Sequence, residues 1–183
     1  MPTVPPPFVR DLRELTFAVE RAFAATGAGG SGRAATAQDA TPAEYLAALG
    51  AVSSRYLAVG TPRSIGLVGD VLQASLSLAA HRTWFAPTDI RMTAASEGIE
   101  HARTVALAEA LACDIVCICR AVPLTTRDLR RGTHAIVLVP DYELDRELAK
   151  IAAVSREVPD LGELAAGLVD GRQLDEITIF LVA

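Results

Sequence analysis

The chain has 183 residues, enough for one domain with a sizeable hydrophobic core. Hydrophobic residues make up 51% of it and charged residues 21%, a composition that excludes a disordered chain. A formal net charge of -5 and a pI near 5.2 argue against a nucleic-acid-binding surface, which needs clustered cations. No apolar run is long enough to cross a membrane, and the N-terminus lacks the features of a targeting signal, so we expect a cytoplasmic protein.

The N-terminal region contains two predicted helices and a linker. Asp11–Ala25 carries an apolar stripe at helical spacing. Thr26–Asp39 is rich in glycine and other small residues, which predicts a flexible linker. The motif Thr41-Pro42-Ala43-Glu44 predicts a capped helix start, and this second helix runs to about Leu57. Because the linker is long, the first helix could pack on its own sheet or on a second chain.

From Ser64 onward, predicted strands and helices alternate. The predicted strands are Ser64–Val68, Asp89–Ala94, Asp114–Cys119, His134–Val139, Ala152–Ser155 and Glu176–Val182. The predicted helices are Val71–His81, Glu97–Leu111, Thr126–Arg130, Tyr142–Lys150 and Asp160–Asp170. Near-continuous apolar strands that alternate with helices predict an α/β fold, in which a parallel sheet is covered by helices on both faces.

The junction after the first strand is a glycine turn that leads into a helix. In nucleotide-binding α/β domains, such a turn directs backbone N–H groups and the positive end of the helix dipole at a pyrophosphate. Gly69 holds the first position of the G-x-G-x-x-G/A pattern and Ala74 the third, but Val71 stands at the second, where the backbone must approach the ligand closely. Asp70 can cap the helix itself and would repel a dinucleotide.

The three cysteines, Cys113, Cys117 and Cys119, lie within seven positions around one apolar run. A C-x-C pair without neighbouring ligands makes a poor metal site, so we interpret these residues as core thiols and expect no bound metal. Free thiols are typical of a reduced, cytosolic protein.

Other polar and aromatic residues fit no catalytic pattern. Three histidines are interpreted as solvated or capping residues: His81, His101 and His134. Three arginines are predicted to form a solvated face that could receive a phosphate: Arg127, Arg130 and Arg131. Two aromatic residues before a proline are interpreted as core or interface anchors: Trp84 and Phe85.

Four segments in register resemble the ornithine cyclodeaminase/mu-crystallin family. They are ELTFAVERAF, SSRYLAVGTPRSIGLVGDVLQA, ACDIVCICRAVPLTTRDLRRGTHAIVLVPDYELDREL and LGELAAGLVDGRQLDEITIF. The matching features include Gln73-Ala74 after the glycine turn, Gly132 and His134 near a strand, and the closing Asp175–Thr178. The resemblance covers Tyr45–Phe180, with a weaker match at the first helix. It implies a Rossmann domain that binds NAD(P), joined to a substrate and dimerisation domain, in a family that cyclises ornithine, reduces cyclic imines or dehydrogenates small amino acids.

The resemblance also implies a division of the chain and a set of site residues. Residues 1–60 would be the remnant of the substrate and dimerisation domain, 61–158 the Rossmann-like domain, and 159–183 a helix and strand that return to the remnant. The cofactor turn falls on Gly69, Asp70, Val71, Gln73 and Ala74.

Asp141 falls on the catalytic aspartate of the family. It follows a predicted strand, and α/β sites lie at the carboxyl ends of parallel strands. An alternative is that Asp141 caps the next helix. The chain departs from the family elsewhere, because an expected arginine falls on Tyr45, the ribose-binding acid falls on Ala94, and the glycine-rich linker replaces a substrate-binding segment.

Two functions follow from these observations. The first is a degenerate family member, a pseudoenzyme that acts as a non-catalytic binding or assembly module, for example in a biosynthetic pathway, and binds NAD(P) weakly or not at all. It would form a homodimer, because the strand Glu176–Val182 would leave an uncovered sheet edge, and could bind a protein or peptide. The alternative is an NAD(P)-dependent oxidoreductase or cyclodeaminase that acts on a small amino acid or cyclic imine, with Asp141 transferring a proton.

Overall fold

A computed structural model describes residues 11–27, 40–94, 99, 101–156, 160–167 and 175–182. Its elements, in chain order, are α1 (Leu12–Gly27), α2 (Pro42–Leu57), β1 (Ser64–Val68), α3 (Val71–His81), β2 (Asp89–Met92), β3 (Ala102–Thr104), α4 (Leu107–Leu111), β4 (Ile115–Ile118), β5 (His134–Val137), α5 (Arg146–Ile151), β6 (Ala152–Arg156), α6 (Asp160–Ala165) and β7 (Ile177–Leu181). The predicted linker lies largely outside the described residues, as does the end of the predicted helix Asp160–Asp170.

The described strands form one sheet in the order β3-β2-β1-β4-β5-β7-β6, and every neighbouring pair is parallel. From β1 the chain moves outward through β2 to β3, then crosses back to place β4 on the other side of β1. The strand order therefore reverses between β1 and β4, which is the position where open α/β sheets bind their ligands. The α/β, Rossmann-like fold is confirmed.

Two hydrophobic clusters cover the two faces of the sheet. On one face, α1, α2 and α3 pack over the sheet through residues such as Leu15, Leu49 and Leu78. On the other face, α4 and α5 contribute Leu111 and Leu148. Both clusters contain fully buried side chains, so the central strands are shielded from water on each side, as a parallel sheet requires.

The two N-terminal helices belong to this same core. The predicted cap of α2 is present, since Thr41 Oγ1 accepts a hydrogen bond from Glu44 N at 3.3 Å and Thr41 N donates to Glu44 Oε2 at 2.8 Å. Helix α1 is tied to α2 through Glu20, whose carboxylate accepts from Tyr56 Oη at 2.6 Å and pairs with Arg55. Of the two placements left open by the sequence, the structure therefore shows α1 on its own sheet.

The predicted helix Glu97–Leu111 is wrong over much of its length. Residues 102–104 form β3, which pairs with β2, and the helix begins only at Leu107. Val105 N donates to Met92 O at 2.8 Å, so ladder hydrogen bonds to β2 outweigh the local helical preference of this segment. Ser96 and Glu97 lie outside the described residues.

Two further predicted helices are also corrected. The segment Thr126–Arg130 is a turn, because the carboxylate of Asp128 accepts hydrogen bonds from both the N–H and the hydroxyl of Thr125, at 2.7 Å each. The predicted helix Tyr142–Lys150 begins only at Arg146, since Asp145 is its N-cap.

The C-terminal strand does not leave an open edge. β7 lies between β5 and β6 and is hydrogen-bonded to both. Thr178 pairs with His134 of β5 and with Ala153 of β6, and all five residues of β7 are buried. The expectation of an uncovered edge at Glu176–Val182 is therefore wrong, and the argument for a homodimer loses that support.

Candidate functional site

The glycine turn between β1 and α3 lies at the reversal of strand order. Gly69 has a φ of +150°, a backbone conformation that favours glycine. A Cβ atom at Gly69 would lie 2.8 Å from Cys119 Cβ and 3.2 Å from the Cys119 carbonyl carbon. The turn therefore requires glycine for two reasons, its backbone angle and its contact with the end of β4.

Asp70 is the N-cap of α3, as the sequence predicts that it can be. Its Oδ1 accepts a hydrogen bond from Gln73 N at 2.9 Å. Gln73 in turn donates from Nε2 to Ala43 O on α2 at 3.2 Å, so this side chain fixes the two helices to each other. Ala74 is fully buried in the core, where a larger residue would separate α3 from the sheet.

At the N-terminus of α3, two backbone N–H groups have no acceptor within the described residues. The N–H groups of Val71 and Leu72 lie in the first turn of α3, where a helix offers them no acceptor. The described part of the chain shows no hydrogen bond from either group. The Val71 and Leu72 side chains are 39% and 67% exposed. The turn therefore presents free donors beside two apolar side chains.

The end of β2 lies next to this turn. Thr93 Oγ1 accepts a hydrogen bond from Gly69 N at 3.4 Å, which links the carboxyl ends of β1 and β2. Ala94, on which the family's ribose-binding acid falls, is half-buried and offers no carboxylate. Tyr45, on which the family's arginine falls, is half-buried on α2 and packs against the core.

Asp141 is an exposed residue beyond the carboxyl end of β5. Its φ is +53°, which is uncommon for a residue other than glycine, although aspartate tolerates it. The prediction that Asp141 could cap the next helix is wrong, because Asp145 Oδ1 accepts from Glu147 N at 3.1 Å and from Leu148 N at 2.9 Å. The Asp141 carboxylate has no hydrogen bond or ion pair within the described residues, so it is free to interact with a ligand.

The loops after β4 and β5 are held together by Tyr142. Its phenol donates a hydrogen bond to Val122 O at 2.6 Å, and the ring is half-buried. Burial raises the pKa of Tyr142, so the phenol stays protonated as a donor at neutral pH. This bond ties the loop that carries Asp141 to the loop that begins with Arg120.

Arg120 was not identified from the sequence. It follows Cys119 at the carboxyl end of β4 and is exposed. An arginine directly after an apolar strand that is predicted to be central and parallel is the signal that could have found it, because such strands end at the ligand-binding edge of the sheet.

The histidine interpretation is wrong for two of the three residues. His81 is buried, with Nδ1 2.7 Å from Ser77 O and Nε2 2.9 Å from Ser54 Oγ. Burial lowers the pKa of His81 to about 4, so it is neutral and does not act as a charged cap. His134 is also buried, 2.8 Å from Thr178 Oγ1 through Nδ1. His101 is exposed, but it lies in a turn before β3 and not on a helix.

The described structure accounts for the three cysteines and for two of the three arginines. Burial raises the pKa of the Cys113 thiol to about 11 and that of Cys119 to about 12, which agrees with core thiols. Among the described residues, no group of three or more histidines, cysteines or acidic residues is placed to hold a metal ion. Arg130 is paired with Asp114 at 2.6 Å, and Arg131 with Asp175 at 3.4 Å.

The aromatic residues before β2 serve as packing anchors. Trp84 makes an edge-to-face contact with Phe17 of α1, with ring centroids 5.8 Å apart. The guanidinium of Arg55 lies over the Trp84 ring, 5.1 Å from its centroid. Both Trp84 and Phe85 pack against the core, as the sequence predicted.

None of the helices in the described ranges has the length and apolar character needed to span a bilayer.

No protein-family model and no curated protein matches the sequence. Several solved structures, by contrast, match this chain. An archaeal alanine dehydrogenase dimer with bound NAD is 18% identical, with a TM-score of 0.76 over 96% of this chain and 87% of that one. A probable ornithine cyclodeaminase from Bordetella pertussis is 19% identical, with a TM-score of 0.74 over 94% of this chain and 87% of that one.

A Δ1-pyrroline-2-carboxylate reductase from Thermococcus litoralis, solved with NADH and L-proline, is 20% identical, with a TM-score of 0.64 over 77% of this chain. The match spans 59% of the length of that reductase. These similarities show that the chain has the fold of NAD-binding domains. The resemblance to the ornithine cyclodeaminase/mu-crystallin family is thus confirmed at the level of the fold.

Proposed function

We propose that the protein is a member of the ornithine cyclodeaminase/mu-crystallin family that binds NAD(P) and acts on a small amino acid or cyclic imine. The observation that carries this proposal is the position of the β1–Gly69–α3 turn at the reversal of strand order, where parallel α/β sheets bind ligands. Similarity to structures that hold NAD or NADH gives it further support.

The residues of the turn fit a dinucleotide in part. The N–H groups of Val71 and Leu72 are unpaired in the described structure and lie at the positive end of the α3 dipole, which suits a pyrophosphate. Asp70 opposes it through its charge, and the Val71 side chain keeps the pyrophosphate further from the backbone than a glycine would. We therefore expect binding that is weaker than that of a turn with all three glycines.

Asp141 is the residue that we assign to proton transfer. When bound, the nicotinamide cofactor supplies or accepts the hydride. The chain must then hold the substrate and move a proton, and Asp141 offers an exposed, unpaired carboxylate at the same edge of the sheet. The Tyr142–Val122 hydrogen bond holds the loop that carries it.

The test is turnover with the substrates that the structural neighbours name. The protein is mixed with NADH or NADPH and Δ1-pyrroline-2-carboxylate, and separately with NAD⁺ or NADP⁺ and alanine, and the absorbance of the reduced cofactor is followed. Asp141→Asn should lower turnover at least about a hundredfold while leaving NADH affinity unchanged. Asp145→Asn is the matched control, because asparagine also caps helices well and Asp145 caps α5. Equal turnover in the two variants would contradict the role of Asp141.

A second candidate function is the non-catalytic binding module. Asp70 favours it, because its carboxylate already caps α3 and places a negative charge at the anion site. Val71 favours it as well, since it fills the position where a pyrophosphate approaches. This candidate keeps the predicted homodimer and the protein or peptide partner. Sedimentation of the purified chain tests whether it forms the homodimer. Absence of binding to NAD⁺, NADH, NADP⁺ and NADPH would favour the module.

A further inference from the structure

The backbone of Arg120 starts next to the glycine turn, after β4, which lies on the opposite side of β1 from β2. Cys119 N donates to Val68 O at 2.7 Å, so the chain after β4 stays beside the end of β1. The carbonyl carbon of Cys119, to which Arg120 N is bonded, lies 3.2 Å from the position that a Cβ on Gly69 would take. The backbone of Arg120 thus starts at the edge of the proposed dinucleotide site.

The guanidinium of Arg120 has no assigned role within the protein. It is exposed, and the described residues offer it no hydrogen bond or ion pair. Arg130, further along the same connection, is instead paired with Asp114 at 2.6 Å. Loss of the Arg120 charge should therefore cost the fold little, so that a binding effect can be separated from a folding effect.

The charges at the turn show why a cation is needed there. A pyrophosphate would face the Asp70 carboxylate, and the negative charge of Asp70 already acts on the neighbouring thiol, where it adds to the burial that raises the pKa of Cys119. No lysine or arginine occurs within the turn itself, residues 69–73. Arg120 is the cation that the chain places directly after the strand facing this turn.

We propose that Arg120 binds the pyrophosphate of the dinucleotide and offsets the effects of Val71 and Asp70. This inference rests on the proposed NAD(P) binding. Val71 holds the phosphates away from the helix N–H groups, whereas an arginine side chain is long and can reach a more distant phosphate from the β4 side. Its planar fork donates two parallel hydrogen bonds to phosphate oxygens, and its charge offsets that of Asp70.

The test compares NADH affinity in the intact protein and in three variants by calorimetric titration. Arg120→Gln should weaken NADH binding about ten- to hundredfold, because a hydrogen-bonded charge is lost. Arg120→Lys should retain part of the affinity, since the charge remains without the fork. Arg127→Gln is the matched control, an exposed arginine further along the same connection, and should bind NADH like the wild type.

Two accompanying measurements test which group Arg120 holds and whether its replacement affects folding. Inorganic pyrophosphate should displace NADH from the wild type, and this competition should weaken in Arg120→Gln. Urea unfolding of Arg120→Gln should match the wild type, which separates binding from folding.

Three outcomes would overturn the inference. If wild type and Arg120→Gln bind NADH equally, Arg120 does not hold the pyrophosphate, while the proposed function stands. If the variant keeps its NADH affinity but loses turnover, Arg120 acts on the substrate carboxylate instead. If the wild type binds neither NADH nor NADPH, the proposed function fails together with the inference.

Discussion

Acidification should destabilise the protein through His81, a buried neutral histidine. The folded pKa is about 4, against 6.5 for the free residue, because burial disfavours the imidazolium. Since the folded pKa is lowered, the unfolded chain binds the proton more readily. The stabilisation is therefore complete above pH 6.5 and is lost as the pH falls from 6.5 towards 4. Between pH 7.5 and pH 5 this linkage costs about 2 kcal/mol in the free energy of unfolding.

The assay is urea unfolding at both pH values for the wild type and for His81→Gln. Glutamine does not titrate in this range, so the variant should lose about 2 kcal/mol less than the wild type between pH 7.5 and pH 5, whatever its stability at the higher pH. The difference between the two proteins cancels the contributions of the titratable groups that they share. If His81→Gln loses as much stability on acidification as the wild type, the reasoning about His81 is refuted.

Three other predictions concern the glycine turn, the loop of Asp141 and strand β1. Val71→Gly should tighten NADH binding about tenfold, because the pyrophosphate regains a close hydrogen bond to the backbone, and unchanged affinity by titration would contradict this. Tyr142→Phe should lower the free energy of unfolding by about 1 kcal/mol and reduce turnover more than NADH affinity, because it releases the loop of Asp141. An equal effect on both would argue against a positioning role. Gly66→Ala should destabilise the fold by about 3 kcal/mol in urea unfolding, because its Cβ would lie 1.9 Å from Ala110 O, and a wild-type midpoint would contradict that close approach.

Local signals were sufficient to predict much of the fold. The strand Ser64–Val68 and the helix Val71–His81 were placed with correct bounds, because an apolar run, a glycine turn and a helical stripe are all encoded by adjacent residues. The capped start of α2 was predicted for the same reason, since the residues of its cap are neighbours in sequence.

The predictions that were wrong concern features that depend on contacts between distant parts of the chain. Residues 102–104 have no strong strand signal of their own and become β3 through pairing with β2. His81 ends a helix in the sequence, and only its packing against Ser54 of α2 shows that it is buried and neutral. The position of β7 inside the sheet likewise depends on its pairing with β5 and β6, which lie earlier in the chain.

The site was predicted only in part. Asp70 was correctly expected to be able to cap α3, because a cap is a local feature. For Asp141, sequence alone could not choose between capping and function, and the structure excludes capping by giving that role to Asp145. The hydrogen bond between Tyr142 and Val122 joins two separate loops, so no local sequence pattern predicts it.

The most direct test of the central claim is a calorimetric titration of the purified protein with NADH and NADPH, with thermal unfolding measured in parallel. We expect saturable binding of at least one of them at a single site. At a concentration about a hundred times the dissociation constant, the bound cofactor should stabilise the fold by roughly 2.7 kcal/mol. Absence of both heat and stabilisation up to millimolar cofactor would contradict the proposal that the β1–Gly69–α3 turn binds a dinucleotide.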